Sequence, residues 1–114
     1  FYLSPAAEGV GRGAADAIPH LEWLDAREQN STAFASELAR RYAALGRWDE
    51  AWAKAVRATR IAPYDASARE LAATVALRRG DVAEAERQIV ALTVLEPDRE
   101  VHQRRLEAVR QRRQ

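Results

Sequence analysis

The stretch Gly46 to Pro63, GRWDEAWAKAVRATRIAP, returns as Gly80 to Pro97, GDVAEAERQIVALTVLEP, with Gly46 and Gly80, Ala51 and Ala85, and Pro63 and Pro97 each 34 residues apart. A unit of that length is one helical hairpin, too small to bury its apolar face alone and dependent on a stacked neighbour. The glycine ends one helix by taking a left-handed conformation, and the proline stops the next. The small residue between them marks where paired helices approach closely. The period therefore demands a helical solenoid.

The segments around this repeat carry the same periodicity. Before Gly46, the residues Ala35, Leu38, Ala39 and Tyr42 fall at i, i+3, i+4 and i+7 and form one stripe, with Asn30 or Ser31 placed to cap their helix. After it, Trp48, Ala51, Trp52 and Ala55 begin the next stripe, and Asp49 and Glu50 sit where the helix dipole favours carboxylates. Asp65 caps a further helix bearing Leu71, Ala72, Val75 and Ala76. Asp81 and Glu84 then form a start close to a capping box, and Val82, Ala85, Ile89, Leu92 and Leu95 supply an inner face up to Pro97. In the last segment only Val101, Leu106 and Val109 are clearly apolar, so a single narrow stripe is expected to cover the end of the stack. Upstream, residues 16–31 align one period before the second helix of the Gly46 repeat, with Ala17, Leu21 and Leu24 on the buried face and Pro19 holding the start near Ala15 to Ala17. Pro5 and the glycines Gly9, Gly11 and Gly13 make residues 1–13 a linker or extended arm.

The positions Leu38, Ala39, Tyr42, Ala51 and Pro63, echoed at Ala72, Ala76, Ala85 and Pro97, resemble the tetratricopeptide repeat family over roughly residues 14–99. Two departures stand out. Ala55 occupies a place where the family usually has a large aromatic, with Trp52 supplying bulk instead, and Ala72 and Ala76 replace a leucine and an aromatic. The resemblance implies an all-α, right-handed superhelix: the second helix of a degenerate repeat at 14–31, repeats at 32–65 and 66–99, and a basic capping helix at 98–114. In that family the first helix of each repeat lines a concave groove that grips an extended peptide or a partner helix. Carried onto this chain, the groove presents Ala33, Glu37, Arg40 and Ala44, then Ser67, Glu70, Thr74 and Leu77, then Val101, Arg104, Arg105 and Ala108. Some members clamp a terminal carboxylate with a lysine and asparagine set. Ser36 and Arg40 stand at the corresponding places here, so that recognition is not expected.

Charge and missing residue types narrow the function further. The 18 basic and 17 acidic residues balance to +1, but six arginines and two glutamates concentrate +4 between Arg99 and Gln114 and leave −3 on the rest. The cluster Arg104, Arg105, Arg110, Arg112 and Arg113 has three readings: a solvated capping helix, a surface for an acidic protein, or a surface for nucleic acid or anionic lipid. Nucleic acid is disfavoured because no aromatics interleave the arginines and the body of the chain is negative. Cysteine and methionine are both absent, the latter even at the first residue, which leads to the expectation of a longer parent chain. His20 and His102 fall in different helices without clustered carboxylates and are expected at the surface or its boundary, so no enzyme, metal or cofactor is expected. Trp48 and Trp52 are expected in the core, and Trp23 at an edge or against a partner. Asn30-Ser31-Thr32 has the form of a glycosylation sequon, without other signs of a secretory route. The expected role is a protein-protein interaction scaffold or adaptor. Its rivals are an accessory module of a larger enzyme and a structural subunit of a membrane-associated complex. The compartment stays open between cytoplasm and periplasm, with membrane attachment through residues before Phe1 as a further option.

Overall fold

The computed structural model describes residues 15–112. Among the described residues there are six helices and no strand: α1 (Ile18–Arg27), α2 (Ala33–Ala44), α3 (Trp48–Ile61), α4 (Ala66–Arg79), α5 (Val82–Leu95) and α6 (Glu100–Arg112). The expected arm at residues 1–13 lies outside them, as does Arg113.

Local chemistry sets most of the boundaries. Gly46 and Gly80 have φ of +74° and +82°, and a Cβ at either would meet nothing within 4 Å, so conformation and not space selects glycine there. The two turns close identically. Arg47 N–H bonds to the Tyr42 carbonyl and Gly46 N–H to that of Ala43, while Asp81 N–H bonds to Ala76 and Gly80 N–H to Leu77. Asp65 caps α4 by accepting from Ser67 N–H at 2.9 Å, and Asp81 caps α5 by accepting from Glu84 N–H at 3.1 Å. The reciprocal half of the capping box does not form. Asp81 N–H is already held by Ala76, and Glu84 pairs with Arg87 at 3.0 Å instead. Thr32 stands at the cap of α2 without a side-chain cap bond, and the Ser31 hydroxyl accepts from Ala33 N–H. Pro19 sits in the first turn of α1, where a missing N–H leaves nothing unpaired.

Each helix packs on its neighbours in sequence, and the backbones of α2 and α4 also approach each other, which those of no two of α1, α3 and α5 do. This is an all-α, tetratricopeptide-like solenoid. Leu38, Ala39, Tyr42, Ala51, Ala55, Ala72 and Val75 join Ile18 in one core, and Ala73, Ile89, Leu106 and Val109 form a second under α6. Trp48 and Trp52 pack against the first core but keep part of their surface in water, under the guanidinium groups of Arg78 and Arg79 at 5.8 and 5.7 Å. Trp23 is 53% exposed and lies between His20 and the Arg27 guanidinium.

Two buried stripes differ from the sequence expectation. In α1 the buried residues are Ile18 and Asp25, with Leu21 at the edge of the core, because α1 is rotated to bring its carboxylate inward. In α6 the stripe is His102, Leu106 and Val109, while Val101 is 41% exposed. The expectation that His102 lies at the surface is therefore corrected. Its Nε2 is 2.7 Å from Glu96 Oε1 in a site that is 1% exposed, so one ring nitrogen is paired, while Nδ1 is buried without a hydrogen-bond partner among the described residues.

Ala51 and Ala85 are both fully buried where paired helices meet. Ala51→Leu and Ala85→Leu should each cost about 1 to 3 kcal/mol in denaturant melts, because added methylenes push the helices apart. Melts in which neither variant loses stability would contradict this packing.

Candidate functional site

The residues expected to line a groove lie on α2, α4 and α6. On α2, Glu37 holds Arg41 at 2.9 Å and lies 3.9 Å from Arg40, leaving Arg40 largely exposed. On α4, the Thr74 hydroxyl donates to the Glu70 carbonyl at 3.0 Å, while the Glu70 carboxylate reaches Arg105 of α6 at 2.5 Å. That pair bridges α4 and α6, whose backbones do not otherwise meet. Arg104 is solvent-exposed, with only Glu100 of its own helix 3.8 Å away. Ala33, Ala44, Ser67 and Ala108 are exposed between these charges, and Leu77 is partly buried against the second core. The result is a surface with small residues and charges of both signs along it.

The arginine cluster does not stay together. Arg105 turns towards α4, whereas Arg110 donates to Glu86 of α5 at 2.9 Å and so belongs to the opposite side of α6. Arg112 is exposed at the end of the helix. Helical geometry explains the split, since five residues separate Arg105 and Arg110 and place them well over 100° apart around the axis.

A second polar cluster lies between α1 and α3 and was not anticipated. Asp25, 1% exposed, accepts from Lys54 Nζ at 2.8 Å and from Arg57 Nε at 3.0 and 3.1 Å. An Arg57 amino group also donates to the Asp25 backbone carbonyl at 2.9 Å, satisfying one of the orphan carbonyls in the last turn of α1. Glu22 joins three helices, since it holds Lys54 at 2.7 Å and accepts from the Tyr42 hydroxyl at 2.5 Å. Burial and the Glu22 hydrogen bond push the Tyr42 hydroxyl up to about 12. Burial alone would lower the Lys54 ammonium, but its hydrogen bonds to Asp25 and Glu22 outweigh that and leave it raised. The signal for this cluster was present in two places. Lys54 is the only lysine, and Asp25 lies 34 residues before Thr59, itself buried. A search for apolar stripes passes over both.

Among the described residues, no three His, Cys, Asp or Glu side chains gather to hold a metal ion, and no helix is long and apolar enough to cross a membrane.

Neither a protein-family model nor a curated protein matches the sequence. Solved structures do match the fold. The type III secretion chaperone SycD of Yersinia enterocolitica, in complex with a peptide of the translocator YopD, superposes with a TM-score of 0.75 at 19% identity over 98% of both chains. PcrH in complex with the chaperone binding region of PopD gives 0.74 at 19% identity, over 95% of this chain and 90% of its own. A further structure of the translocator chaperone SycD gives 0.72 at 19% identity, over 96% and 89%. The chain therefore shares the fold of these helical chaperones.

Replacing Asp25 by alanine strands two cations in a largely buried place, with only Lys54 keeping a carboxylate, so a loss of about 3 kcal/mol is expected in denaturant melts. The Tyr42 hydroxyl provides a second test. Its raised value means the folded state keeps a proton that the unfolded chain releases, so the contribution is complete below pH 10 and is lost as pH rises towards 12. Lys54 acts in the same direction. The alkaline fall in stability should be shallower in Tyr42→Phe, and an unchanged slope would contradict the Glu22 contact.

Proposed function

We propose that this protein is a holding module of the tetratricopeptide type, which binds an extended segment of another protein along α2, α4 and α6 and keeps it from premature contacts. The observation that carries this reading is the end-to-end likeness to SycD, a secretion chaperone crystallised with a peptide of its translocator. The surface chemistry supports it independently. Small residues at Ala44, Thr74 and Ala108 leave room for a backbone, and Glu37, Arg40, Glu70, Arg104 and Arg105 offer charged partners of both signs. A groove of mixed charge suits a polypeptide, whose side chains alternate in character, better than it suits a uniform polyanion.

The test is capture of a partner from the source cell, with and without nuclease, using baits blocked at the floor of the groove. Thr74→Arg and Ala108→Arg alter exposed positions and should leave stability within about 0.5 kcal/mol, yet each should abolish capture. Arg104→Gln should slow association and flatten its salt dependence, because rim charges act mainly on the on-rate. Arg110→Gln, which faces α5, should change nothing. Capture that survives both floor variants, or that disappears with nuclease, would overturn the reading.

A further inference from the structure

A cleft of about 570 Å³ opens on the other layer, between the end of α1 and the length of α3. Its walls include Gln29, Asn30, Lys54, Arg57, Arg60 and Ile61, and among the described residues no carboxylate lines it. Asp25 and Glu22 stand behind this wall, holding Lys54 and Arg57 in fixed positions before any ligand arrives. Pre-positioning of that kind removes much of the ordering cost that long cationic side chains otherwise bring to binding.

The donors are not exhausted by the internal pairs. An ammonium carries three hydrogens, and Lys54 engages two carboxylates. A guanidinium has five, and Arg57 uses its Nε and one amino group on Asp25, leaving the other amino group without a partner among the described residues. Arg60, one turn further along α3, makes no ion pair among the described residues and is exposed at the mouth. The charge balance sets the ligand. Asp25 and Glu22 neutralise Lys54 and Arg57, so the uncompensated charge in the cleft is that of Arg60 alone. One carboxylate matches it, whereas a polyanion would bring charge that nothing here offsets and that the negative body of the chain opposes.

We propose that this cleft binds a glutamate or aspartate side chain of a partner protein. Arg60 and the free edge of Arg57 take the carboxylate, Asn30 offers amide donors beside it, as does the amide hydrogen of Gln29 that remains after its 2.7 Å bond to the Ala26 carbonyl, and Ile61 packs on the apolar stem. The site lies on the layer opposite the groove and is independent of what the groove holds. A protein using both faces grips a client on one and an acidic segment of the client or of a docking protein on the other.

The experiment is a titration of the isotopically labelled full chain, followed by amide resonances, with the peptide acetyl-Ala-Leu-Glu-Leu-Ala-amide, its glutamine counterpart, and inorganic phosphate. The glutamate peptide should move the side-chain amides of Gln29 and Asn30 and the backbone amides of Ala53 and Ile61, and the glutamine peptide should not. Arg60→Gln should weaken binding about tenfold, the effect of losing one charge-assisted hydrogen bond. Asn30→Asp, which puts a carboxylate at the mouth, should weaken it similarly. Both positions are exposed, so both variants should melt as the parent does, while Thr74→Arg should bind the peptide as the parent does even though it blocks the groove. Equal binding of the two peptides, an unaffected Arg60→Gln variant, shifts confined to Arg104 and Arg105, or phosphate binding tighter than the glutamate peptide would each overturn the proposal.

Discussion

Helices in this protein come together at alanine, and the close approach this allows is the constraint on which everything else rests. Ala51, Ala55, Ala72, Ala76 and Ala85 are wholly out of water at the contacts between consecutive helices. A methyl group buries little area of its own, so the gain there comes from dispersion between backbones that a larger residue would hold apart. The bulk is supplied at a few points by Leu38, Ile89, Leu92 and Leu106, with Trp48 and Trp52 closing the edges. A stack built this way has little slack. Each pair fixes the position of the next, and the exposed faces inherit their alignment from contacts made behind them.

The first and last of the six helices bring few apolar side chains to the core, and both are held by polar groups as well. From α1, Ile18 and Leu21 reach the core, and the buried Asp25 with Lys54 and Arg57 of α3 adds a set of bonds between helices whose backbones do not touch. From α6 come Leu106 and Val109, and His102 is tied to Glu96 in the turn just before it. A buried ion pair adds little over a well-packed apolar pair, but it tolerates only one geometry, since a misplaced charge has no partner. The polar anchors set the rotation of α1 and α6, which the apolar stripes leave under-determined.

This arrangement divides the surface into two layers of different chemistry. The α2, α4 and α6 layer is mixed in charge and floored with small side chains, and the Glu70 to Arg105 pair spans it. The layer of α1, α3 and α5 carries the cationic cleft, whose lysine and arginine are held from behind by the anchor of α1. The same residues thus anchor α1 and shape a surface. In the proposed function the mixed layer receives a polypeptide and the cleft an acidic side chain, and neither depends on the other.

How much was legible in the sequence follows from the range over which each feature is decided. The 34-residue period, the left-handed glycines Gly46 and Gly80, the caps at Asp65 and Asp81 and the alanine contacts depend on residues within one or two turns of each other, and so were readable along the chain. Those features alone determined an all-helical stack. What the tertiary structure decided is the phase of α1 and α6 and the pairing of charges: Asp25 with cations 29 and 32 residues away, Arg105 with Glu70, Arg110 with Glu86, and His102 turned inward in place of Val101. A rotation of either helix by one residue, about 100°, exchanges its own charged partners while leaving the repeat intact. The period therefore sets where helices lie, and only their packing sets which way the charged faces point.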